Sequence, residues 1–234
     1  MKALKFIWAT SLCVALGMGL VSCGDDNEEI EPSPEKEIPE NSIDHECVDL
    51  GLSVKWATCN VGASSPEEYG DHYAWGETET KDYYDWGTYK WCNGSFSTLT
   101  KYCTSSKKGT VDNKTVSDPD DDVAHVKWGG KWRMPTDAEL TELREKCTWT
   151  WTTQGGTKGY EVTSKSNGNS IFLPAAGYRI YNSFSGVGSY GYYWSASLYE
   201  SGPSDARSVS FYSRKVNRSQ NSRYYGRSIR PVCP

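Results

Sequence analysis

Residues 178–231 read YRIYNSFSGVGSYGYYWSASLYESGPSDARSVSFYSRKVNRSQNSRYYGRSIRP, a stretch dominated by Tyr, Ser, Gly, Arg and Asn. It constrains the fold more than any other segment. Two short apolar runs, 192–194 and 209–211, alternate with polar residues as half-buried strands do, and a third run at 228–232 closes the chain. Successive side chains on a strand face opposite ways. Trp194, Val209, Phe211 and Ile229 are therefore expected in the core. Tyr192, Tyr199, Arg207, Tyr212, Arg214, Asn217, Arg218, Asn221, Arg223 and Tyr224 are expected to be largely exposed, carried outward by the strands and the loops between them. Tyr offers broad contact area at low entropic cost, Ser and Asn offer adaptable hydrogen bonds, and Arg anchors by charge and stacking. These ten residues are the candidates for a ligand-binding face on a rigid scaffold. The plainer alternative is a set of solvent loops on a β-rich domain.

The chain opens on a targeting signal. Lys2 and Lys5 precede an apolar run at 6–21 that leads into Ser22 and Cys23, too short and too early for a membrane span. Leu20, Val21, Ser22 and Cys23 together resemble a bacterial lipobox, so residues 1–22 are expected to be removed and Cys23 to carry lipid. Residues 24–44 hold nine acids against Lys36 alone, with Pro32, Pro34 and Pro39 among them. That composition predicts an extended acidic tether, because it has too little apolar surface to offset the entropy of ordering. The acidic cluster directly behind Cys23 resembles the signal that sends Bacteroidetes lipoproteins to the outer face of the outer membrane. The expected location is therefore the outer membrane, lipid-anchored and exposed on the cell surface, with the membrane as a partner through the anchor and no nucleic acid.

The whole chain carries −5, and the tether accounts for −8. The remaining domain, 45–234, is close to neutral at +1. Within it, residues 178–230 hold eight Lys or Arg against Glu200 and Asp205, an excess suited to anionic glycans or acidic protein surfaces. About 190 residues suffice for one domain with a sizeable core. One helix is predicted, with Thr136 as N-cap, Glu139 completing a capping box, and Leu140 and Leu143 as its apolar face. Residues 80–125 read as loop. Asp118, Asp120, Asp121 and Asp122 supply oxygen ligands, but an EF-hand would want Gly and Glu where Val123 and Gly129 stand. A solvated acidic loop is expected there, with no metal and no cofactor. His45, His72 and His125 lack a nucleophile beside them. Glu77 and Glu79, two apart on one strand face, could serve a glycosidase, but an exposed strand edge is the reading expected for them. The chain is expected not to be an enzyme.

VDLGLSVKWATCNVGASSPEEYGDHYAWGE, TYKWCNGSFSTLTKYC, WGGKWRMPTDAELTEL, GNSIFLPAAGYR, GYYWSAS and RSIRPVC, spread in order over residues 48–233, resemble the FISUMP family, the major paralogous domain of Bacteroidetes surface lipoproteins. The RMPT helix and last strand also resemble the fold of formylglycine-generating enzymes and of the variable proteins of diversity-generating retroelements. The resemblance implies an α+β, C-type-lectin-like fold of short twisted antiparallel strands, few helices and long loops. In it the two chain ends pair in one sheet and late loops build the ligand face. The sugar-calcium motifs of true C-type lectins are absent, and so is the late cysteine pair of the formylglycine enzymes. Six cysteines follow Cys23, an even number that suggests disulfides in an exported protein. Cys92 and Cys103 suit a loop staple, the implied fold would join Cys47 to Cys233, and Cys59 then remains for Cys147. The expected function is a surface lipoprotein that binds a protein or glycan on host or neighbouring cells. The alternatives are a tip or accessory subunit of a surface fibre and an uncharacterised polysaccharide hydrolase.

Overall fold

The computed structural model describes residues 45–234. The signal peptide at 1–22, lipidation of Cys23 and the tether at 24–44 lie outside the described residues. Two short strands open the domain, β1 (Cys47–Val48) and β2 (Lys55–Ala57). After a long irregular segment come α1 (Val123–Trp128) and α2 (Asp137–Lys146). The hairpin β3 (Cys147–Gln154) and β4 (Thr157–Ser164) leads into β5 (Ser170–Pro174), then the small hairpin β6 (Tyr178–Ile180) and β7 (Ser183–Ser185). Three long strands follow, β8 (Tyr190–Leu198), β9 (Asp205–Tyr212) and β10 (Lys215–Ser222), and β11 (Val232–Cys233) closes the chain. They form four antiparallel sheets, ordered β1-β2-β11, β3-β4-β5, β6-β7 and β10-β9-β8.

This architecture corrects the α+β, C-type-lectin-like expectation. With 37% strand and 10% helix, the protein is mainly β. The physical reason is local. Helix-forming signals are confined to α2 and to the six residues of α1, whereas Thr, Trp, Tyr and Val alternate elsewhere. The two ends of the described residues do share a sheet, since β11 pairs with β2 through Val232 opposite Trp56 and Cys233 opposite Lys55. β10 was expected as loop but is an eight-residue strand paired with β9 along its whole length. The β3–β4 hairpin, not anticipated, turns on Gly155 (φ 54°) and Gly156 (φ 84°), the left-handed pair that a two-residue hairpin turn demands.

At α2 the capping box forms as expected. Glu139 N–H donates to Thr136 Oγ1 at 3.2 Å, and Thr136 N–H donates to the Glu139 carboxylate at 2.7 Å. Leu140 and Leu143 are buried against Val209, Phe211, Tyr193 and the β3–β5 sheet. A second cluster gathers Trp75, Trp194, Tyr73, Tyr102, Leu198 and Ile229. The four predicted core residues Trp194, Val209, Phe211 and Ile229 are all 2% exposed or less.

The irregular segment is held by polar groups turned inward. Asp121 and Asp122 are buried, which corrects the solvated-loop expectation. Asp121 accepts from Lys101 Nζ and Tyr102 Oη, both at 2.6 Å. Asp122 caps α1 through Ala124 N–H and His125 N–H, and accepts from Met134 N–H at 2.8 Å. Every oxygen used this way already has a donor, and no group of metal-ligating side chains occurs among the described residues. Glu77 and Glu79 are not a strand pair either. Glu77 is buried and bound to Lys81 and the Lys90 N–H, while Glu79 is paired with Lys127.

All six cysteines of the described residues are free thiols, so none of the three expected disulfides is formed. Cys59 and Cys147 belong to different core clusters. The Cys92 and Cys103 thiols are spent on the carbonyl oxygens of Trp86 and Ser105, each at 3.1 Å. Cys47 and Cys233 flank β2 with their thiols hydrogen-bonded, and burial followed by that contact pushes the Cys233 thiol up to about 11.

Buried His72 sets a pH dependence. Its Nε2 lies 3.0 Å from the Ala176 carbonyl oxygen, and burial lowers its pKa to about 4. The unfolded chain, with an ordinary histidine near 6.5, binds the extra proton first as pH falls. The stability that rests on neutral His72 is complete above pH 6.5 and is lost as pH falls towards 4, by about 3 kcal/mol at pH 4. Urea unfolding between pH 7 and pH 4 is expected to show this loss in the natural protein and a correspondingly flatter profile in His72→Gln. Parallel profiles would show that His72 does not drive it.

Candidate functional site

The register of the β10-β9-β8 sheet sorts its side chains into two faces. On one, Gly191, Tyr193, Val209, Phe211 and Val216 face the core. On the other, Tyr190, Tyr192 and Trp194 of β8 stand opposite Tyr212, Ser210 and Ser208 of β9, which stand opposite Lys215, Asn217 and Ser219 of β10. Trp194 is covered by the second core cluster. The rest of this face is open: Tyr190 and Lys215 are exposed, and Tyr192, Ser210, Tyr212, Asn217 and Ser219 are half-buried.

Rings continue beyond the sheet. Tyr212, Tyr190, Tyr192, Tyr178 and Tyr225 follow one another with centroids 5.1–6.2 Å apart. Tyr224 and Trp86 extend the line at 4.5 and 5.2 Å. The small hairpin brings Tyr178 into place because Arg179 and Gly226 exchange backbone hydrogen bonds at 2.7 and 3.0 Å. Within the belt Tyr190 is the most open ring, 43% exposed. Such a tyrosine belt, interleaved with hydroxyl and amide groups, can stack on a ligand and hydrogen-bond to it.

The expected binding residues divide. Tyr192, Tyr212 and Asn217 share the open face, Asn221 continues it opposite Ala206, and Tyr224 borders the belt. Arg214 is exposed in the β9–β10 turn. Tyr199, Arg207 and Arg218 lie elsewhere. Arg207 and Arg218 project from the core-side face, past the edge of the core, onto Asp137 at the start of α2. Arg218 Nε reaches both Asp137 oxygens at 3.1 and 3.0 Å, and the Tyr199 ring lies 4.4 Å from the Arg207 guanidinium. Arg207 and Arg218 line an open groove of about 550 Å³, where both are already paired with the Asp137 carboxylate.

Arg223 is wholly buried, against the expectation of exposure. Its guanidinium donates to Tyr89 Oη and to the carbonyl oxygens of Pro203, Tyr102 and Lys101 at 2.8–3.0 Å. Arg230 is buried in the same way, on Asn60 and the carbonyls of Ala57, Thr58 and Phe172. Three of the eight cations counted in the sequence, Arg223, Arg227 and Arg230, are thus internal. Tyr178, Tyr190, Tyr225, Ser210, Ser219 and Arg227 were missed. Period-two alternation would have found Tyr190 and Ser210; the other four are placed by pairing between distant segments.

Fold and face together define a mainly β domain with an open aromatic and polar sheet face. A family model described as "Domain of unknown function (DUF8237)" matches residues 157–232, a segment that holds β4 to β10 and the belt tyrosines from Tyr178 to Tyr225. No curated protein and no solved structure matches the chain.

Proposed function

We propose that this chain is a lipid-anchored protein of the bacterial cell surface, similar to the FISUMP lipoproteins, that binds a ligand on host or neighbouring cells without catalysis. The observation that carries this is the belt from Tyr212 to Tyr225, a row of aromatic faces with Ser210, Asn217 and Ser219 beside it and no carboxylate on that part of the sheet. Folded proteins seldom leave so many contiguous rings at the surface without a partner for them. Cells displaying the full chain would be applied to a panel of glycans and matrix proteins, beside cells displaying Tyr190→Ser/Tyr192→Ser. Retention on at least one panel member is expected, with a drop of tenfold or more in the double variant at equal display. A double variant that binds every panel member as well as its parent would move the site off this face.

A further inference from the structure

We infer that the tyrosine belt takes an anionic saccharide, its acidic group drawn by Arg227 beneath the rings; this rests on the binding face proposed above. Three buried arginines differ in how their donors are used. Arg223 and Arg230 each make four hydrogen bonds, mostly to backbone carbonyls. Arg227, 2% exposed, donates from NH1 to Ser208 Oγ at 2.9 Å, and its buried Nε has no partner among the described residues. It makes no ion pair there, and its nearest charge partner is the half-buried Asp205, which interacts with it without contact and is hydrogen-bonded to Ser222. Instead it is walled by rings, 4.8 Å from the Tyr192 centroid, 4.3 Å from Trp194 and 5.8 Å from Tyr225.

A guanidinium with unspent donors in a low-dielectric site projects its charge further than one in water. Two of the rings against it, Tyr192 and Tyr225, are half-buried links in the belt. Lys215 adds a second cation on the same face, and neither it nor Arg214 has an ion pair among the described residues. The open face therefore presents positive potential, flat rings and neutral amide and hydroxyl groups. Flat rings suit the C–H faces of pyranoses, and amides and hydroxyls suit their hydroxyl groups. The open part of the sheet carries no aliphatic side chain to seat an apolar peptide residue.

The test uses the full chain in solution with four polymer probes: polygalacturonate, its carboxyl-reduced neutral derivative, dextran sulfate and poly-glutamate. Polygalacturonate is expected to bind at least tenfold more tightly than its reduced form, and added salt is expected to weaken it. Comparable binding of dextran sulfate would show that any anionic group serves, and much weaker binding would assign the carboxylate. Arg227→Met should cost about tenfold on the acidic probe and little on a neutral one, with Arg227→Lys recovering part of the loss. Lys215→Glu, at an exposed site, checks the charge if Arg227→Met does not fold. Equal affinity for polygalacturonate and its reduced form would overturn the anionic inference while leaving a glycan-binding face. Tight binding of poly-glutamate that survives loss of Tyr190 and Tyr192 would overturn the saccharide. No binding of any polymer by a chain that still retains a ligand from the broader panel would overturn the inference alone.

Discussion

Phe211→Ala is expected to lower the unfolding free energy by about 3–5 kcal/mol, the range for truncating a buried Phe. The ring is 1% exposed and lies among Trp149, Trp151, Tyr160 and Tyr193, with centroids 5.2–6.4 Å away. Across the sheet, Gly191 leaves room for it, because a Cβ there would stand 2.0 Å from Phe211 Cζ. Rigid sheet on one side and α2 on the other leave little scope for the cavity to collapse. Arg214→Ala, three residues away in an exposed turn, should change stability by no more than about 0.5 kcal/mol. Chemical denaturation of both variants decides it. A loss below about 1 kcal/mol in Phe211→Ala would show that the two packed layers do not share a core there.

Arg223→Met is expected to be comparably damaging, about 3–5 kcal/mol, and to do nothing specific to binding. Met fills much of the volume but leaves Tyr89 Oη and the carbonyls of Pro203, Tyr102 and Lys101 without their donor. Each buried polar group stripped of its partner costs about 1–3 kcal/mol, reduced where water can enter. Arg223→Lys should recover little, because an ammonium on a single stem cannot span four acceptors as a planar fork does. Hydrogen exchange should report the opening in residues 85–105, where Tyr89, Lys101 and Tyr102 reside, before the long strands open. Unchanged stability with lost ligand retention would return Arg223 to the binding set.

The sequence by itself determined what depends on near neighbours. Thr136 and Glu139 wrote the start of α2 because a capping box is closed within four residues. Val209 and Phe211 declared an inward face because strand alternation is a local geometric rule, whereas Trp194 shares the Tyr192 face and is buried by a second cluster that no alternation encodes. The same rule was silent over β10, where Val216 is the one apolar residue and presents no period to read. What only the tertiary structure decided was the fate of the charges. An arginine is a surface anchor or a core strut according to whether backbone carbonyls from distant loops converge on it, and the residues that hold Arg223 and Arg230 lie as far as 173 positions away. Arg207 and Arg218 were likewise claimed by Asp137, whose position depends on where α2 packs against the last sheet. The open face came from β8, β9, β10 and the Tyr178 and Tyr225 segments meeting in space, and no spacing along the chain encodes that meeting.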